Sequence, residues 1–363
     1  MLSKTKIYID KDSLEIIAQD SSTTDYYYKN IIEIFRRHAE LYINLTEEEL
    51  KDLKEPMDLS EPGDIFTFIE GKSIPWPSPG FDNFEALKRP DENQPEINGN
   101  VIYILNKKED AEKLRNKYGV WAIYIDDIND DIFYYEFTPD LDIEEVPVNS
   151  EKAWEYIFDG ENKFLPPSNS MVISDSNLLT NNKINRNTGE NLFCGLVNLK
   201  SLIDLLLPQK LNVPYYILIV CPPSRNLEEG KMKKVVRRWI KELKQIRPYS
   251  LIVEFLITNK SVHSRDLYSN NYRIHFDKGF YVFEPWSRRV HRDGPSHNEI
   301  NAYSYLSTPF RRGKSLVETA MVDLNIMLKK YKSFMQGNGD PYIIDLVEEP
   351  IKQQFFGKNR VLF

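Results

Sequence analysis

Short apolar runs that alternate with charged, amphipathic segments constrain this chain more than any other feature. VIYILNKKEDAEKLRNKYGVWAIYIDD reads as strand, helix and strand, with Gly119 closing the helix. The rhythm returns further on. MVISD is a strand, LVNLKSLIDLLLP a helix, VPYYILIVCPP a buried strand and SLIVEFLIT another. Between the last two lies KMKKVVRRWIKELKQI, with Met232, Val235, Val236, Trp239, Ile240, Leu243 and Ile246 spaced along one helix face. Lys233, Lys234, Arg237, Arg238, Lys241 and Lys244 occupy the opposite face. The expected class is α/β, built as two mixed α/β domains.

Smaller elements fill in the rest. KIYID opens the chain as a strand, an aromatic helix is expected through TTDYYYKNIIEIFRRHAEL, and ELYINL is a short strand. Thr46 and Glu49 have capping-box spacing for a helix after it. A proline-rich stretch from Met57 to Asn100 reads as a long loop. FYYEF is a further strand. The acidic, proline-bearing TPDLDIEEVPVNSE places the expected boundary near residue 150, giving domains 1–150 and 151–363. Strands are expected at 262–268, 271–276 and 279–284, and a helix through SLVETAMVDLNIMLKKY.

Charge divides the chain. The net charge of −8 combines −17 over residues 1–150 with +9 over the remainder. An acidic half repels nucleic acid and a basic half attracts it, so DNA or RNA is the expected partner of the second half. A basic protein partner or a second copy suits the acidic half. No run of about 18 apolar residues is present, so no membrane span is expected. The N-terminus has no secretory pattern, and Cys194 and Cys221 sit in apolar contexts as buried reduced thiols. A cytoplasmic protein is the expectation.

Within SVHSRDLYSNNYRIHFDKGFYVFEP, His263, Arg265 and Asn270 are spaced i, i+2 and i+7. On a strand, His263 and Arg265 share one face. The spacing resembles the H-x-K-x4-D motif of the phospholipase D superfamily, in a degenerate form. Arg265 stands where the family has lysine, Asn270 stands where it has aspartate, and a single copy of the motif is visible. The resemblance covers roughly residues 165–335. It implies a phospholipase D–like C-terminal domain in which His263 attacks phosphorus and Arg265 holds the phosphate oxygens. It implies no cofactor. A second histidine would have to come from another copy, so a homodimer follows if the site is active.

The neighbourhood favours a polyanion. From Gly230 to Arg292 there are 15 basic and 5 acidic residues, interleaved with aromatics. Lys234, Arg237, Lys241, Lys244, Arg288 and Arg289 are the expected nucleic-acid contacts. In the first half, Asp10, Glu47 and Asp126 lie near strand ends, in the manner of PIN-type nucleases that gather carboxylates around Mg²⁺ or Mn²⁺. The reading is therefore a nucleic-acid-interacting protein with a degenerate phosphodiesterase or nuclease site, of a kind suited to bacterial defence. The alternatives are a protein-interaction module without catalysis and a metal-dependent nuclease using the N-terminal carboxylates.

Overall fold

The computed structural model describes residues 5–20, 39–44, 84–87, 95–99, 101–128, 134–137, 154–158, 165–185, 188–258, 265–285, 298–304, 310–311, 314–315, 326, 329, 344–345 and 360–362. The chain is α/β and divides into two compact units, residues 1–132 and 133–363. Among the described residues no helix is long and apolar enough to cross a membrane. The expected helices through 23–41 and 315–331, and the one capped by Thr46, fall largely or wholly outside the described residues.

The first unit is a five-stranded parallel sheet. Its strands are β1 (Thr5–Asp10), β2 (Ala39–Asn44), β3 (Phe84–Leu87), β4 (Val101–Leu105) and β5 (Trp121–Tyr124), in the order β3-β2-β1-β4-β5. Parallel neighbours need crossovers, and Lys108–Tyr118 supplies the helix between β4 and β5. It ends at Gly119, whose φ of 61° is left-handed and whose N–H donates to the Arg115 carbonyl. Because register brings like positions side by side, Tyr42, Tyr8 and Tyr103 stack across three strands at centroid spacings of 4.8 and 4.9 Å. Burial, with Glu96 and Glu40 nearby, pushes the Tyr8 hydroxyl up to about 12. The strand order reverses between β1 and β4, so their carboxyl ends lie side by side.

The second unit is an eight-stranded mixed sheet. It comprises β6 (Tyr134–Phe137), β7 (Ser170–Asp175), β10 (Tyr215–Cys221), β11 (Leu251–Ile257), β12 (Arg265–Ser269), β13 (Tyr272–Phe276), β14 (Ile300–Ser304) and β17 (Ile344–Asp345). The order is β17-β11-β10-β7-β12-β13-β14-β6. Strands β7, β10 and β11 are parallel, and the rest pair antiparallel. Two hairpins stand apart from it: β8 (Asn182–Ile184) with β9 (Asn191–Phe193), and β15 (Phe310–Arg311) with β16 (Lys314–Ser315).

Helices Cys194–Leu206 and Glu229–Leu243 share one hydrophobic core with the sheet residues Met171, Ile173, Ile217, Ile219 and Phe255. In the second helix Met232, Val236, Trp239, Ile240 and Leu243 are buried, as the spacing predicts. Trp239 meets the Phe255 ring edge-on and donates its indole N–H to the Leu196 carbonyl at 2.7 Å.

Two expectations are corrected here. The units divide at residue 132 rather than near 150, because Tyr134–Phe137 pairs antiparallel with β14 of the second sheet. Residues 279–284 do not form a regular strand. Phe280, Val282 and Phe283 are buried, but their amides turn to side chains: Asp175 accepts from Phe280, and the Asn198 amide oxygen accepts from Val282 and Phe283.

Gly195, at the start of the first of these helices, is held by close packing. A Cβ there would lie 2.7 Å from the Leu178 carbonyl oxygen, a backbone atom that cannot swing aside. Gly195→Ala is expected to lower unfolding stability by about 1–3 kcal/mol, the cost of an overpacked methyl. Urea denaturation followed by tryptophan fluorescence measures it; an unchanged midpoint would show that the contact relaxes freely.

Candidate phosphate-binding site

The ends of β7, β12 and β13 gather the polar residues of the second unit. Arg265 opens β12 and is the backbone partner of Asp175, the last residue of β7. Asp175 is fully buried, and both carboxylate oxygens are used. Oδ1 accepts from the Asn177 N–H at 2.7 Å and Oδ2 from the Phe280 N–H at 3.0 Å. Gly279 makes the second bond possible: its φ is 101°, and a Cβ there would sit 2.9 Å from both carboxylate oxygens. Asn298 accepts from the Lys278 N–H at 3.0 Å, and Asn177 donates to the Lys278 carbonyl at 3.2 Å. The turn from Asp277 to Phe280 is therefore clamped by side chains from β7 and from the segment entering β14.

Arg265 reaches this turn. Its Nη1 donates to the Asp277 carbonyl, while its buried Nε has no hydrogen-bond partner among the described residues. A guanidinium N–H left unpaired in a buried position is costly, and an acceptor reaching it would be strongly held. Burial pushes the Asp175 carboxyl up to about 6, against the pull of the two backbone N–H donors and the Arg265 charge.

Asp266 follows Arg265 and faces the other side of the sheet, as strand alternation requires. It is buried, and its Oδ1 accepts from Arg273 Nε at 3.0 Å and pairs with His275 Nδ1 at 2.8 Å. Arg273 is in turn held by the Tyr303 hydroxyl at 3.2 Å and lies over the Tyr268 ring. Burial alone would raise the Asp266 carboxyl, but the His275 hydrogen bond and the Arg273 charge outweigh it and leave it below its ordinary value.

The sequence-predicted residues scatter. His263, Arg288 and Arg289 lie outside the described residues. Asn270 does not meet Arg265: with Asn271 it makes the two-residue turn between β12 and β13, and its Oδ1 accepts from the Asn169 N–H. Five residue steps along the strand separate the two, about 17 Å. Asp175, Asp266, Arg273 and His275 were not among the predicted site residues. The Asn-Asn turn was the signal that could have found the last three, since a two-residue loop there sets Asp266 opposite His275.

The predicted cations on Glu229–Leu243 come together fully. Lys233 pairs with Glu229 at 2.6 Å, and Arg238 with Glu190 at 2.5 Å. Lys234, Arg237, Lys241 and Lys244 are exposed and have no ion-pair partner among the described residues. Their i, i+3, i+7 and i+10 spacing lines them along one side of the helix and its cap, over about 15 Å.

Of the predicted metal residues, the two that are described, Asp10 and Asp126, do not converge. Asp10 ends β1 at the point where strand order reverses, but Oδ1 accepts from the Ser13 N–H at 2.8 Å and Oδ2 from the Asn106 N–H at 2.7 Å. Asp126 follows β5, two strands and about 10 Å away, and accepts from the Tyr124 hydroxyl. Glu47 lies outside the described residues. Among those described, no group of three or more His, Cys, Asp or Glu could hold a metal ion.

The buried Asp175 has a consequence for pH. An unfolded aspartate titrates near 4. Between there and about 6 the folded protein keeps a proton that the unfolded chain has released, so stability falls as pH rises through that window, by about 3 kcal/mol in all. Asp266 acts in the opposite sense: its contribution is present above its unfolded pKa and is lost as pH falls. Urea unfolding from about pH 4 to about pH 7 should show the wild type losing stability relative to Asp175→Asn; parallel curves would refute this. No protein-family model matches the chain, and no curated protein matches it, so the site is read from its own geometry.

Proposed function

We propose that this protein binds nucleic acid through the basic helix Glu229–Leu243, with phosphodiesterase chemistry of a degenerate phospholipase D type beside Arg265. The observation that carries the reading is the row Lys234, Arg237, Lys241 and Lys244. Like charges at i, i+4, such as Arg237 and Lys241, destabilise a helix by about 0.2–0.5 kcal/mol per pair. Neighbouring cations on the same helix are neutralised by Glu229, Glu190 and Glu242, whereas these four have no such partner among the described residues. A polyanion would neutralise the row and release counterions.

Arg265 supports the second part of the reading. Its position matches the phosphate-holding residue of the family that the H-x-R spacing resembles, and its Nε is an unused donor. A homodimer bringing two copies of His263 together is the arrangement that such a motif would need. The metal-nuclease alternative draws on Asp10, which ends β1 at the reversal of a parallel sheet, the place where α/β proteins bind ligands. It calls for Mg²⁺ or Mn²⁺, and EDTA separates it from a metal-free site.

The test is a salt titration of binding to duplex DNA, single-stranded DNA and RNA. For duplex DNA, replacing Lys234, Arg237, Lys241 and Lys244 together by Glu should weaken binding at every sequence alike. It should also make the log–log salt slope shallower by about 3–4. A folded quadruple variant that binds as the wild type does would remove the helix from the interface. A wild type that binds none of the three would favour a protein-interaction module.

A further inference from the structure

We infer that His275, oriented by the buried Asp266, is a proton-transferring catalytic residue within a single chain, able to activate water against a phosphodiester. The substrate class rests on the nucleic-acid reading above; the dyad rests on its own geometry. Asp266 is 1% exposed and accepts from His275 Nδ1 at 2.8 Å, whereas the His275 side chain is 41% exposed. An imidazole that gives its Nδ1 hydrogen to a carboxylate carries its lone pair on Nε2. Among the described residues that Nε2 has no partner, so the ring is anchored at one end and open at the other.

The carboxylate is itself fixed. Arg273 grips Oδ1 through Nε at 3.0 Å and Nη2 at 2.9 Å, and Tyr303 and Tyr268 hold the guanidinium from two further sides. Rigid support of this kind sets an imidazole's tautomer and angle, which a proton-transfer residue requires. A tie between two strands does not require it. Taking Asp266 and Arg273 out of water is costly, and an apolar pair of similar volume would join β12 to β13 at least as well. What an apolar pair could not do is hold His275 with a free Nε2.

The reaction balances with water as the second reactant. Nε2 takes a proton from water as the water oxygen bonds to phosphorus. The bond from phosphorus to the leaving oxygen breaks on the opposite side, its electron pair stays on that oxygen, which takes a proton from solvent, and the imidazolium gives its proton back to solvent. Phosphodiester and water become a phosphomonoester and an alcohol. Asp266 and Arg273 are positioning residues here, since they act through the ring. No second copy of the chain is needed.

The experiment uses the full chain with EDTA present and bis(p-nitrophenyl) phosphate as a small diester that makes no demand on the basic helix. His275→Ala should lower kcat about 10²- to 10⁴-fold with KM little changed, the range for one general base. Added imidazole should restore part of the rate, and Asp266→Asn should move the pH profile while Asp266→Glu retains it. His275→Gln, checked by thermal melting, guards against a folding defect. The proposal is overturned if the wild type does not cleave the diester. It also falls if His275→Ala keeps the wild-type rate while His263→Ala loses it, or if a folded His275 variant loses activity that imidazole does not restore. Cleavage of the small diester without any binding of DNA or RNA keeps the dyad and overturns the nucleic-acid reading, so the two fail separately.

Discussion

A two-residue turn at Asn270 and Asn271 decides which side chains meet in the second unit. It sets the register of β12 on β13, pairing Asp266 with His275 and Tyr268 with Arg273. Ser269 secures the turn by accepting from the Asn271 and Tyr272 amides at 3.0 and 2.9 Å. A slip of one residue would move every side chain of the strand to the other face. Asp266 would then lose both Arg273 and His275 as partners inside the protein, and Leu267 and Ile274 would leave the core. The polar cluster and the hydrophobic core are therefore specified by one turn.

Buried acids in this unit are neutralised in two different ways. Asp266 has the His275 hydrogen bond and the Arg273 charge, and its carboxyl stays below its ordinary value. Asp175 has two backbone donors and a nearby Arg265, and burial still pushes its carboxyl up to about 6. The difference follows from where each sits. Asp266 lies between two strands whose neighbouring side chains include an arginine, whereas Asp175 ends its strand and bonds to the main chain of a turn. The first arrangement fixes a ring and the second fixes a loop.

Much of the fold was legible because local pattern and burial agree. VIYIL, MVISD and LIVEFLI are strands as read, and of the seven apolar residues spaced along the basic helix five are buried, while Val235 and Ile246 pack half-buried against the same core. What could not be read depends on partners far along the chain. FYVF has the composition of a strand, yet Asp175 takes the Phe280 amide and Asn198, 85 residues before Phe283, takes those of Val282 and Phe283. FYYEF was legible as a strand, but its partner β14 lies beyond residue 299. For the site, the alternation of Arg265 and Asp266 was readable and held. The link from Asp266 to His275 needed a hairpin register that the motif spacing obscured, because Asn270 looked like a motif residue rather than a turn.

The place of Tyr134–Phe137 bears on how the second unit can be handled by itself. It is one of the two edge strands of the eight among the described residues, and its four residues pair with Ile300–Tyr303. A fragment begun at residue 151 would strip this strand away and leave the outer amides and carbonyls of β14 unpaired. Such an open rim is a template for a foreign strand, whether from another molecule of the fragment or from an unfolded chain. Clumping of such a fragment would reflect the missing strand and not the behaviour of the intact protein.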